Sequence, residues 1–113
     1  MKTVCISRRL WGRGKSGGHL RRPALEPDAG KQCCLGFICK AYGLTNADIE
    51  GHGLPRGLLT QALYKLPRWL YDSSHTVEAL SSVNDDDDHS DVHRESEIVR
   101  LCLPHNVRII FTK

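Results

Sequence analysis

The chain has 113 residues, of which 40% are hydrophobic and 26% charged, and its formal net charge at neutral pH is +3. That length and balance describe one globular domain over residues 1–113 with a single core of ordinary size, and they exclude a wholly disordered chain. No apolar run has the length of a membrane span or of a signal-peptide core, so the expectation is a cytoplasmic protein with no membrane partner.

The five cysteines are odd in number, which without an export signal favours reduced thiols over a disulfide framework. The modest net charge conceals an asymmetry. Residues 1–32 carry eight Lys/Arg against two acids, whereas residues 73–113 carry four against eight, with a nearly neutral middle. A chain so divided either pairs its own halves or offers a basic face to an acidic partner.

The β-favouring residues over 3–7 predict a strand with Val4 and Ile6 on one face and Cys5 on the other. Residues 8–20 hold Gly12, Gly14, Gly17 and Gly18 among basic residues and Trp11, which predicts a mobile loop opening with a single helical turn. Residues 20–25 form a short extended segment confined to an edge by Pro23, and 26–31 carry turn chemistry through Pro27, Asp28 and Gly30. Over 33–42 the residues Cys34, Leu35, Ile38, Cys39 and Tyr42 recur at helical spacing, and Gly43 supplies the stop. Gly36 is out of place in that helix, unless it permits close packing.

Thr45 to Asp48 caps a short turn, and 51–55 is irregular. Leu58, Leu59, Ala62, Leu63 and Leu66 predict a helix over 56–66 that ends at Pro67 and is followed by the aromatic patch Trp69-Leu70-Tyr71. A short helix over 76–83 turns Val77, Leu80 and Val83 inward. The run Asn84-Asp85-Asp86-Asp87-Asp88 reads as a solvated connection. Ser90 or Asp91 then caps a helix whose inward stripe is Val92, Ile98, Val99, Leu101 and Cys102, ended by Pro104. Residues 107–111 are the clearest strand and should pair with 3–7. The expected fold class is α+β, a small sheet of paired terminal strands packed by three to four helices.

Several motifs bear on chemistry. Gly14-Lys15-Ser16 resembles the end of a phosphate-binding loop, but Arg9 stands where that pattern requires glycine. Arg8, Arg9, Trp11, Arg13, Lys15, Arg21 and Arg22 are the strongest binding signal, since clustered cations meet phosphates or an acidic protein surface and an aromatic ring stacks on a base. The same cations could instead meet the chain's own aspartates. Cys33, Cys34, Cys39 and His52 offer zinc-ligand chemistry, yet adjacent cysteines lack knuckle spacing, and buried core thiols explain them more simply. A helix N-terminus at Cys33 would lower its pKa and make a reactive thiol. Asn84, Asp86, Asp88 and Glu95 fall in a calcium-loop frame in which His89 occupies the glycine position. Asp85, Asp86, Asp87 and Asp88 could also imitate phosphates toward a basic partner.

The segments Trp11-Gly12-Arg13-Gly14, Gly30-Lys31-Gln32-Cys33-Cys34-Leu35-Gly36-Phe37 and Leu80-Ser81-Ser82-Val83-Asn84-Asp85-Asp86, followed by a helix and the strand from Val107 to Phe111, resemble a group of small uncharacterised proteins of phages and prophages. In that group the corresponding order is Trp-x-Arg-Gly, Met-Cys-Cys-Leu-Gly-Phe, Asn-Asp-Asp and a C-terminal helix and strand. The chain departs at Gln32, where Met is usual, and in its longer aspartate run. The resemblance implies a phage or prophage accessory protein acting in the host cell, and it brings no catalytic residues and no cofactor.

The combined expectation is a non-enzymatic protein that binds a host protein or protein–nucleic-acid complex, with an anti-CRISPR-like inhibitor of host defence as its specific form. Its contacts would come from the basic loop over 8–22 and from Asp85 to Asp88. The alternatives are a nucleic-acid-binding module using the same loop and a thiol- or zinc-dependent enzyme.

Overall fold

The computed structural model describes residues 1–72 and 75–113. Strand β1 (Lys2–Ser7) and strand β2 (Val107–Thr112) pair in parallel from Lys2↔Val107 to Ser7↔Thr112, so the chain between them forms the crossover that a parallel pair requires. Three helices of two turns or more lie between: α1 (Cys34–Ala41), α4 (His75–Asp85) and α5 (Asp91–Cys102). Two single turns, α2 (Asn46–Ile49) and α3 (Thr60–Leu63), precede α4. The α+β class and the pairing of terminal strands stand as expected.

One face of the sheet buries Val4, Ile6, Val107 and Ile109, the alternate residues of each strand. Helix α1 packs on β1, α5 packs on β2, and α4 touches both helices. Leu35, Ile38 and Cys39 of α1, Leu80 of α4, and Ile98 and Cys102 of α5 complete a contiguous core with Trp11 and Leu20. Thr45 caps α2 reciprocally with Asp48, which holds the Asp48 carboxyl below its ordinary range, first through the bond from the Thr45 backbone. Ser90 caps α5 by accepting from the His93 N–H at 3.1 Å.

Three expectations change. The stripe over 56–66 is not one helix: a tight turn over Pro55–Gly57 gives way to extended Leu58 and Leu59 before α3 begins. Leu58, Ala62 and Leu66 are buried all the same, while Leu59 is 70% exposed. Gly57 weakens helix continuation there, and Leu58 and Leu59 take extended backbone angles that break the run. In α5, Val92 is 81% exposed and Arg94 takes the inward position above Ile98 and Cys102. Asn84 and Asp85 belong to the end of α4 and Asn84 is 1% exposed, so the connection starts at Asp86.

Candidate partner-binding loop

Residues 8–33 contain one short 3-10 turn, Gly14–Ser16, and otherwise only turns and isolated bridges, but they are not free. Backbone bonds lace the two arms together: Gly12 N–H donates to the Gln32 carbonyl at 2.8 Å, Gln32 N–H to Leu10 at 2.9 Å, Arg22 N–H to Lys31 at 2.9 Å and Cys33 N–H to His19 at 3.0 Å. The expected mobile loop is therefore a fixed one.

Asn84 holds this loop to two helices. Its Oδ1 accepts from Trp11 Nε1 at 2.7 Å and from the Cys34 N–H at 3.1 Å, which satisfies an N-terminal amide of α1. Its Nδ2 donates to the Gly12 carbonyl and to Asp85 Oδ1, both at 2.9 Å. Asp85 Oδ1 also accepts from the Gly18 N–H at 3.0 Å. A second tie runs to α5, where Arg8 meets Glu95 through two hydrogen bonds at 2.8 and 2.7 Å and Arg13 meets Asp91 at 3.1 and 2.9 Å. The Arg13 guanidinium also lies 4.5 Å from the Trp11 ring centroid and donates to the carbonyls of Arg8 and Trp11. The Glu95 hydrogen bond raises the Arg8 pKa, and the Arg13 hydrogen bond, ahead of Arg94, holds Asp91 below the usual carboxylate range.

The seven residues singled out in the loop thus divide. Trp11 is wholly buried, with its ring 4.9 Å from that of Phe111, so it offers no face to a base. Arg8 and Arg13 pair with α5, Arg21 stands 3.6 Å from Glu50, and Arg22 reaches Glu26 at 3.5 Å while donating to the carbonyls of Lys15, Ser16 and Gly17. Arg9 and Lys15 remain exposed and, among the described residues, make no ion pair. Leu10 beside Arg9 is 43% exposed, and Leu25 at the far end of the loop is wholly exposed.

The aspartate run divides likewise. Asp85 faces the loop, Asp86 accepts from the Asp88 N–H at 2.8 Å and lies 3.5 Å from His89, and Asp87 and Asp88 are exposed. Asp87 sits against Gly14, so the fold joins the aspartate run and the basic loop into one surface. Arg94, only 6% exposed, closes the back of this surface by pairing with Asp91 at 2.9 Å and donating to the Asp86 carbonyl.

The thiols take no part in it. Cys33, Cys34, Cys39 and Cys102 are buried and Cys5 is exposed. Burial pushes Cys33, Cys39 and Cys102 up to about 12 and Cys34 well above its ordinary value. The helix N-terminus does not activate Cys33, because desolvation of the thiolate outweighs the amides of Leu35 and Gly36. Among the described residues no group of three His, Cys, Asp or Glu converges as a metal site. None of the described helices is long and apolar enough to cross a membrane.

Arg94 is the residue the sequence reading missed, and Asn84, placed there in a calcium-loop frame and a solvated run, is instead buried and bonded within the fold. Asn84 continues the Val77–Leu80 stripe of α4 at four-residue spacing, and Arg94, Ile98 and Cys102 recur at the same interval in α5. Periodicity was the available signal, and polarity hid it. No protein-family model, curated protein or solved structure matches the chain.

Proposed function

We propose that the chain is a non-enzymatic accessory protein of phage or prophage origin that binds a host protein, or a host protein–nucleic-acid complex, in the host cytoplasm, with an anti-CRISPR-like block of host defence as its effect. The observation that carries the reading is the fixed loop. Long connections with almost no regular structure of their own are uncommon in compact domains and concentrate where binding occurs. This one spends Asn84, Asp85, Asp91 and Glu95 on holding its shape while Arg9, Leu10 and Lys15 point outward. A surface ordered before contact loses less conformational freedom on binding. The resemblance to phage and prophage proteins supplies the host-directed part of the reading.

Arginines locked in internal pairs and a buried Trp11 favour a protein surface over bare nucleic acid as the partner. The test is capture of host proteins on the immobilised chain, compared with the double variant Arg9→Glu/Lys15→Glu, whose fold is checked by circular dichroism. A partner retained by the native chain and lost by the variant is the expected result. Equal retention by both would refute the loop reading, and salt-sensitive binding of isolated DNA or RNA would move the loop to the nucleic-acid class.

A further inference from the structure

The sheet has two strands, so β1 has β2 on one side only. The bonds Lys2 N–H to the Asn106 carbonyl at 3.0 Å and Arg8 N–H to Thr112 at 2.9 Å fix which residues of β1 face that partner. In a parallel ladder alternate residues turn both backbone groups to the same neighbour, so Lys2, Val4, Ile6 and Arg8 serve β2 and the intervening Thr3 and Cys5 turn theirs the other way. No backbone hydrogen bond from Thr3 or Cys5 is made to any other described element. Both residues are exposed. Nothing in residues 2–7 carries the proline by which natural edges are blunted.

An open groove of about 420 Å³ runs along this edge. Thr3, Val4 and Cys5 form one side, and Phe37, Lys40 and Ala41 of α1 form the other. A strand edge facing a helix across a groove is the geometry in which an extended segment adds to a sheet. The backbone gives the attachment, and side chains on one face of the added strand fill the groove.

Charge decides which segment fits. Neither β1, α1 nor β2 contains an acidic residue, and none occurs in residues 1–25 or 29–47. Lys40 lines the groove, and Lys2 reaches along the same end of α1 with its Nζ 4.9 Å from the Tyr42 ring centroid. A second copy of the chain pairing edge to edge through β1 would bring two such sets of lysines onto one short ribbon, where like charges oppose pairing. An acidic strand would meet them instead.

We infer that the free edge of β1 and the groove beside α1 are a docking site for an extended, acidic segment of a partner protein, which adds to the sheet through the backbone of Thr3 and Cys5 and places carboxylates near Lys2 and Lys40. The site is separate from the loop around Arg9 and Lys15, so either reading stands or falls by its own test.

The intact chain is panned against a displayed library of random twelve-residue peptides, and a selected peptide is then made with a fluorescent label. Enrichment of Asp and Glu is expected. Bound peptide should slow amide exchange at Thr3 and Cys5 and leave Val4 and Ile6, already bonded to β2, little changed. Lys40→Glu, or alkylation of the exposed Cys5 with N-ethylmaleimide, should weaken anisotropy-measured binding by at least about tenfold, whereas Arg9→Glu/Lys15→Glu should not. Continued protection of Val4 and Ile6 shows that the altered proteins keep their sheet. Selected peptides without acidic enrichment, or peptides that leave the Thr3 and Cys5 amides exchanging as in the free chain, overturn the inference. So does sedimentation as a dimer with those two amides protected in the absence of peptide, which would assign the edge to a second copy.

Discussion

Asn84 and Gln32 are both carboxamides shut away from water, at 1% and 2% exposure, and they differ in what they meet there. Asn84 uses both ends of its amide, whereas Gln32 Oε1 is buried with no hydrogen-bond partner. Removing the first strands Trp11 Nε1, the Cys34 N–H and the Gly12 carbonyl together, and each buried orphan costs about 1–3 kcal/mol. Asn84→Ala should therefore lower stability by about 3 kcal/mol or more, read as a large drop in the urea midpoint at unchanged m-value. Gln32→Met should act in the opposite direction. Met is unbranched and of similar length, fills irregular core space and leaves no polar atom unpaired, so a gain of about 1 kcal/mol is expected in the same titration. A lower midpoint for Gln32→Met would show that the Gln32 amide is satisfied in solution.

Helix α1 shows how much an element reveals of its own setting. Its apolar spacing is plain in the sequence, and so is the anomaly of Gly36 within it. The cause lies elsewhere in the chain: a Cβ on Gly36 would clash with the Leu20 carbonyl oxygen, because the basic loop crosses α1 in backbone contact. Glycine to alanine inside a helix ordinarily stabilises by about 1 kcal/mol. Here Gly36→Ala should destabilise by about 3 kcal/mol or more, because either the loop or the helix must move and the Asn84 bonds on both go with it. Thermal unfolding followed by circular dichroism gives the sign directly, and a raised midpoint would remove the close crossing from the account. Elements whose faces match their own periodicity, such as β1, β2 and α1, were legible. The 56–66 stripe was not, because Leu58 and Leu66 are buried by contacts that a continuous helix is not needed to make. In α5 hydrophobicity alone favoured Val92 over Arg94, and only the placement of Asp91 and the Asp86 carbonyl lets the guanidinium go inside. For the candidate site, the sequence located the charged loop and run but not which cations are free, since for Arg8 and Arg13 that depends on partners 87 and 78 positions away.

At the scale of the molecule, the basic first third closes on the acidic last third: Arg8 on Glu95, Arg13 on Asp91 and the Gly18 amide on Asp85. Of the two outcomes that the charge asymmetry allowed, internal pairing uses Arg8 and Arg13 and leaves Arg9 and Lys15 for the outside. This closure makes stability depend on pH with a definite sign. Asp91 has its carboxyl pulled below the usual range, first by the Arg13 hydrogen bond and then by Arg94. A carboxylate depressed in the folded state contributes its stabilisation fully above the unfolded value of about 3.9, and loses it as pH falls through the folded value. The melting temperature should therefore fall below about pH 4, and the amides of Gly12 and Gly18 in the tied loop should lose protection there, relative to their intrinsic exchange at the same pH, before those of β1 and β2 do. Asp91→Asn should lower the melting temperature at pH 7 and flatten the acid decline, because the variant has no proton to take up at that position. The Arg13–Asp91 pair is partly exposed, with the Asp91 side chain 46% accessible, so the difference at pH 7 should be modest and shrink further in high salt. An acid decline equally steep in Asp91→Asn would place the titrating group elsewhere, with Asp48 and Glu97, both also held below the usual carboxylate range, as the candidates.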